Sequence, residues 1–492
     1  MGKQDALFLL IKSLSSGEKA VVRNPESGKA GYVVLFDLIA RQKEFDERKV
    51  RKKLLKLGVD INYSYAKNYL TKHILKSLRE YRDASGSGLH TQVLEIEILM
   101  ARKVFGLAAK MLGKARTRAW KTEQWHLFIR LTKVEMTLLA MDKGNPEKSI
   151  DKIRKVNEAR VSARRQLGNL GEFQDLYYLY RPILMRKQRA RNEWDLDLIK
   201  EFAAHPLMKN PEKALCERAR RVYFRCQILI KAFTGDFETT FKLLGQSLEQ
   251  YRKHEFLVDD HAGDFINDLL RHGVLLTHFE HYAQVDKTLR EIRAFQKKSA
   301  IHGSEIFDKY YRLLLGYALA TKDYKLVNAE LDNIRAGLKA YAESLPWATR
   351  CNTLFLMGRV AFEQKDFRLA AGWFNEILDE TNRGIREDLV SLSRILLIFT
   401  YYERGEFELV ESSSRATRKY LRRREQLFRF EARILSFLEK NSFHATSKDE
   451  IVALRKLRTD LEIIFKDKLE ANICSSFDIL PWLDEKIAQL EA

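Results

Sequence analysis

Proline and glycine are scarce in this chain, at 7 and 23 among 492 residues, both below average usage. Each interrupts helices, proline by removing a donor and crowding the preceding turn, glycine through its backbone entropy. Segments of alternating β-branched residues bounded by turns are almost absent, so an all-α fold is expected. Cysteine is rare as well. Cys216, Cys226, Cys351 and Cys474 lie far apart, with no two at metal-finger spacing. They read as buried, reduced thiols of a reducing compartment. No run of about 18 apolar residues exists to cross a membrane. Leu7-Phe8-Leu9-Leu10-Ile11 is too short for a secretory core and is cut by Lys12. Ala6 stands where a myristoylation signal needs Ser or Thr. A cytoplasmic protein without membrane insertion is expected. The sequence also lacks a phosphate-cradling glycine loop, a nucleophile elbow and a zinc-protease His-Glu pair. No catalytic residue, metal or cofactor is therefore expected, and the chain reads as non-enzymatic.

What is present is a turn signature between helix-periodic apolar segments. It occurs at Gly235-Asp236-Phe237, His281-Tyr282, Asp323-Tyr324, Asp366-Phe367 and Gly405-Glu406-Phe407. The turn positions 236, 281, 323, 366 and 406 are 45, 42, 43 and 40 residues apart. A period of this length marks stacked helical hairpins. The best repeat is 354–378, with Gly358 in its first helix, Asp366-Phe367 at the turn, and Ala370 and Phe374 in its second. Gly273 with Tyr282, Gly316 with Tyr324, and Tyr401 with Gly405 and Phe407 follow the same logic. These positions resemble the tetratricopeptide pattern, in which a small residue lets two helices approach and an aromatic fills the gap. The tetratricopeptide period is about 34 residues, so the helices here are longer by roughly one turn each. The resemblance implies a right-handed αα superhelix, a tetratricopeptide-like solenoid.

A small N-terminal helical module is expected over residues 1–85. Leu7, Phe8, Leu10, Ile11 and Leu14 form one helical face, and Tyr65, Tyr69, Ile74 and Leu78 lie near one face of a helix over 63–82. Ala84-Ser85-Gly86-Ser87-Gly88 reads as a flexible linker. The solenoid is expected to fill residues 89–492. Within it Gly168–Phe173 reads as a turn, and the proline-bearing segment 205–212 reads as a connector at a subdivision, with a helix starting at Pro211. The whole chain also resembles a family of uncharacterised bacterial proteins, found especially in Bacteroidota and described as tetratricopeptide-like. The matching stretches are residues 7–15 with Glu18-Lys19, Tyr65-Ala66-Lys67-Asn68-Tyr69-Leu70 with residues 74–79, and His205-Pro206-Leu207 with Lys213-Ala214-Leu215. That resemblance implies architecture and carries no activity.

The formal charge is +20, and it is uneven. Residues 1–200 hold 41 Lys and Arg against 23 Asp and Glu, whereas 201–492 hold 46 against 44. Arg102, Lys103, Lys110, Lys114, Arg116, Arg118, Lys121, Arg130 and Lys133 face a single acid, Glu123, with Trp120 and Trp125 between them. A second cluster joins Arg181, Arg186, Lys187, Arg189 and Arg191 to Tyr177, Tyr178 and Tyr180, and a third basic run spans Arg415 to Arg424. Cations with interleaved rings suit a single-stranded nucleic-acid track. They equally suit solvated helix faces whose aromatics point into a core. His278 and His281 sit three apart near Glu280 and Asp286, which is weak as a metal pattern. The leading expectation is a protein-interaction scaffold that takes a partner peptide or helix in the solenoid groove. Lys114, Arg116, Arg118, Lys121, Arg186, Lys187, Arg189 and Arg191 would form a basic surface for an acidic partner. The alternative is a nucleic-acid-binding or transcription-linked regulator that uses the basic first two-fifths, including Lys49, Arg51, Lys52, Lys53 and Lys56.

Overall fold

The computed structural model describes residues 5–14, 16–23, 30–42, 45–59, 61–82, 88–142, 144–186, 193–298, 303–342, 344–379, 386–423, 427–440, 447–467, 470 and 479–491. These residues are 86% helical, in 24 α-helices with no strand. The chain forms two compact units: Met1–Leu276 with Phe295–His302, and Thr277–Ala294 with Gly303–Ala492. The expected boundaries near residue 85 and at 205–212 therefore both fall inside the first unit.

The first unit begins with α1 (Ala6–Ser13), α2 (Ser16–Arg23), α3 (Ala30–Ala40), α4 (Glu47–Lys56) and α5 (Tyr63–Arg82). These five share one core in which Leu7, Phe8 and Ile11 meet Leu35, Phe36, Ile39 and Val50. The face that α5 gives to this core is Ala66, Leu70 and Ile74, spaced four apart. Tyr65 is instead exposed. The tyrosine face read from the sequence lies about one residue off the buried one. Next come α6 (Leu89–Ala101), α7 (Phe105–Lys121), α8 (Trp125–Ala140) and α9 (Pro146–Arg186), packed in sequential pairs. Helix α9 runs unbroken for 41 residues, roughly 60 Å at the α-helical rise. It passes straight through the turn expected at Gly168–Phe173. Gly168 and Gly171 have open space around them, while Phe173 is fully buried. A glycine costs a helix about 1 kcal/mol, and packing against α8 and the next long helix outweighs that.

After α10 (Glu193–Ala204) the connector forms two 3-10 turns, Pro206–Met208 and Pro211–Lys213. The helix expected to start at Pro211 starts instead as α11 (Glu217–Phe233), followed by α12 (Phe237–Lys253), α13 (Glu255–Asp260) and α14 (Ala262–His278). Arg221 and Arg225 of α11 both donate to Asp264 of α14, Arg221 at 2.9 Å. Arg225 also lies 4.7 Å from the ring centre of Tyr177. Ser247 donates to Asp268 at 3.0 Å, and burial pushes that carboxyl upward. His261, just before α14, is held at about 4 because burial, and after it the charge of Arg221, disfavour its imidazolium. Its ordinary value is about 6.5. Between those two values the unfolded chain binds more protons than the native one, so stability is lost as pH falls through this window. The loss attributable to His261 is expected to reach about 2–3 kcal/mol by pH 4. Denaturant unfolding of wild type and His261→Gln between pH 4 and pH 7 measures it, and parallel pH profiles would rule it out.

One turn geometry recurs through both units. Lys103, Glu123, Gly235, Glu280, Lys365 and Gly405 have positive φ, each two residues before a helix opened by an aromatic. Those aromatics are Phe105, Trp125, Phe237, Tyr282, Phe367 and Phe407. The residue after the left-handed one donates backward to close the preceding helix, Val104 to Leu99, Gln124 to Ala119, Asp236 to Lys231, Asp366 to Ala361 and Glu406 to Tyr401, at 2.9–3.0 Å. This is the Schellman closure, which favours glycine at the left-handed position. Lys103→Gly is therefore expected to stabilise the protein by about 0.5–1 kcal/mol. Glu123 occupies the same slot, yet its carboxylate accepts the backbone N–H groups of Glu217 and Arg218 at 2.9 Å each. Glu123→Ala keeps the strain and uncaps α11, at a cost of about 1–2 kcal/mol. Shifts of the same sign for both variants in thermal melts would contradict this pairing.

The second unit holds most of α15 (Tyr282–Lys298), then α16 (Gly303–Thr321), α17 (Lys325–Ala340), α18 (Trp347–Glu363), α19 (Phe367–Asp379), α20 (Glu387–Glu403), α21 (Phe407–Arg423), α22 (Arg429–Lys440), α23 (Ser447–Ile464) and α24 (Leu480–Glu491). On α19 the buried set Ala370, Ala371, Trp373, Phe374 and Ile377 follows helical periodicity. The ring of Phe374 lies against Gly358, where an ideal Cβ would stand 2.5 Å from Cε1. In the preceding hairpin the same exchange is reversed. The aromatic, Phe307, is on the first helix and the glycine, Gly337, on the second, with an ideal Cβ 2.0 Å from Cε2. Gly316 has nothing within 4 Å, so the close approach expected there occurs at Gly337 instead. Gly273 is buried in α14. Tyr282 packs on Tyr317 at 5.8 Å, Phe367 on Phe362 at 5.5 Å and Phe407 on Tyr402 at 6.1 Å. Tyr324 occupies the N-cap position of α17 without a side-chain cap bond.

Candidate functional site

Of the expected basic surface, the structure describes the side chains of Lys114, Arg116, Arg118 and Lys121. Arg116 is paired with Glu135 of α8, and Arg130 with Glu97 of α6 at 2.7 Å. Lys114 and Lys121 are exposed, and Arg118 is half-buried. Arg186 is described in its backbone alone, and Lys187, Arg189 and Arg191 lie outside the described residues, as does Cys474. The rings between these cations are largely used in packing. Trp125 is buried, and Trp120 lies edge-on to it at 5.1 Å and close to Phe128 at 4.9 Å. Tyr177 and Tyr180 are buried, with Tyr180 stacked on Phe202 at 4.1 Å, whereas Tyr178 is exposed. In the third basic run Arg415 pairs with Glu411, and Arg418 with Glu439 at 2.9 Å. Within the N-terminal module Arg51 pairs with Glu47 at 2.8 Å and lies over the ring of Tyr63. Among the described residues no group of three or more potential metal ligands forms, at His278 and His281 or elsewhere. The described cysteines are buried. No helix among the described residues is long and apolar enough to cross a membrane.

A groove in the second unit gathers charged and aromatic side chains outside the sequence-predicted surface. Helix α18 packs on α16 and on α19, while α17 packs on α16. A cleft of about 800 Å³ is lined by Arg335, Leu338 and Lys339 of α17, Arg350 of α18, and Arg368, Leu369, Gly372, Trp373 and Glu376 of α19. The floor is apolar. Leu338 and Trp373 are each 6% exposed, and Gly372 leaves open space beside them. Around the floor the charges are unbalanced by pairing. Glu376 is engaged by Arg350 at 3.5 Å, and Asp366 accepts the N–H of Leu369 at 3.0 Å, capping α19. Arg335, Lys339 and Arg368 have no acidic partner among the described residues, and the Arg335 guanidinium lies 5.7 Å from the centre of the Trp373 ring. The indole Nε1 of Trp373 is buried without a hydrogen-bond partner among the described residues.

An apolar floor beneath three unpaired cations and a buried N–H donor suits the apolar face of an acidic helix. Gly372-Trp373 directly precedes Phe374 of the best repeat, which is the one signal in the sequence that could have pointed here. The opening between α17 and α19 has no local signature. Comparisons with protein-family models, with curated proteins and with solved structures find no match to this chain.

Proposed function

We propose that this protein is a non-enzymatic, cytoplasmic interaction scaffold whose second unit captures an acidic amphipathic peptide or helix between α17 and α19. The observation that carries this reading is the groove itself, in which Arg335, Lys339 and Arg368 stand unpaired around Leu338, Leu369 and Trp373. Helix-in-groove recognition uses apolar residues one helical turn apart to fill the floor, with charges outside them setting register and rate of encounter. The buried cysteines accord with a reducing compartment. The basic first half supports a nucleic-acid track less well, because the rings needed for stacking are largely packed away.

Selection of displayed helical peptides on the full chain is expected to enrich acidic sequences with apolar residues three or four apart. Arg335→Glu combined with Arg368→Glu should weaken the selected peptides by roughly ten- to hundredfold. Gly372→Leu fills the groove while gaining helix propensity of up to about 1 kcal/mol, so it should abolish binding without lowering the melting temperature. Equal peptide binding by all three proteins would overturn the reading.

A further inference from the structure

A second cleft, of about 1010 Å³, lies wholly inside the first unit. Its apolar wall includes Leu78 of α5 and Leu170 of α9. Its acids are already engaged. Glu123 binds the first N–H groups of α11, Asp260 binds Arg218, and Glu18 and Asp259 have partners of their own. Of the three lining arginines, Arg218 is held by Asp260 and by the carbonyl of Thr122. Arg79 and Arg118 line the cleft with no acidic partner among the described residues. Beside them the rings of His90 and His126 sit 5.3 Å apart, and neither has a carboxylate partner there. His126 is held below the ordinary imidazole range by burial first, then by the positive charge of His90, Arg218 and Arg130. The first turns of α6 and α8, neither closed by a side-chain cap, reach the same cleft through His90 and His126.

We propose that this cleft binds a small phosphorylated organic molecule of nucleotide size, with Arg118, Arg79, His90 and His126 on its phosphates and the leucine wall against its apolar part. Arg79 of α5, His90 of α6, Arg118 of α7 and His126 of α8 line this one cleft, and guanidinium and imidazole donors suit the oxygens of a phosphate group. A bounded volume with an apolar wall selects a compact ligand over an extended strand. This site is independent of the groove between α17 and α19.

Calorimetric titration of the full chain with adenosine triphosphate is expected to show binding that Arg118→Gln weakens roughly ten- to hundredfold. Arg118→Lys keeps the charge without the fork and should fall between the two. Lys114→Gln on the same helix and Arg335→Glu in the other unit should leave the affinity unchanged. Adenosine alone should not bind, pyrophosphate should bind more weakly than the nucleotide, and the His126 resonance should titrate at higher pH when the nucleotide is bound. The proposal fails if millimolar nucleotide does not bind to the folded protein, or if Lys114→Gln weakens binding as much as Arg118→Gln. Pyrophosphate binding tighter than the nucleotide would leave the apolar wall without a role and overturn the assignment.

Discussion

Phe374→Ala is expected to destabilise the second unit by about 3–5 kcal/mol, the range for removing a fully buried aromatic. The ring is 0% exposed and lies against Gly358 and near Phe355, whose ring centre is 6.4 Å away. Removing it leaves a void between α18 and α19, the two helices of one hairpin. Gly358→Ala should cost about 1–3 kcal/mol by the opposite route, because its new methyl group would overlap the ring. The two changes act on the same space. In the Phe374→Ala background Gly358→Ala should therefore cost little, giving a favourable coupling of about 1–3 kcal/mol. Hydrogen exchange localised to α18 and α19, with thermal melts of the four proteins, measures the cycle. Additive costs would show that the two residues do not share a cavity.

Asp264→Ala is expected to cost the first unit about 3–5 kcal/mol, because breaking a buried ion pair from one side strands the other charge. Two guanidiniums would be left, those of Arg221 and Arg225, and the side chain of Arg221 is only 9% exposed. Asp264 itself is partly exposed, which favours the lower end of the range. Replacing Arg225 as well by Met removes one stranded charge and should recover part of the loss. Chemical denaturation of the single and double variants gives the numbers. An Asp264→Ala loss below about 1 kcal/mol would mean that solvent screens the cluster as it screens surface pairs.

Much of the helical architecture can be read from residue pattern alone, because apolar periodicity and the paucity of proline and glycine are local properties. The turns at 235–237, 366–367 and 405–407 announce themselves through glycine or aspartate followed by phenylalanine. The same Schellman turn at Lys103-Val104-Phe105 and Glu123-Gln124-Trp125 lacks that glycine or aspartate. There the left-handed position carries a long charged side chain, and only the aromatic that opens the next helix remains as a clue. Gly168 and Gly171 mislead in the other direction. They resemble punctuation, yet a helix supported by neighbours on both sides continues through them. The groove is harder still to foresee. Arg335, Lys339 and Arg368 become a set through the path α17 takes after packing on α16, and residue spacing does not encode that path.

The order in which the units occupy the chain has a consequence for synthesis. The first unit is finished by Phe295–His302, after the segment Thr277–Ala294 that belongs to the second. Phe295 places its ring 5.9 Å from that of Phe265, which in turn packs against Tyr251 at 5.3 Å. A nascent chain released from the ribosome only as far as Leu276 still lacks this ring. The amino-terminal unit must therefore wait for part of its neighbour to be translated before its own last aromatic arrives. A single proteolytic cut inside residues 277–302 would likewise divide both units, because each has a stretch on either side of it.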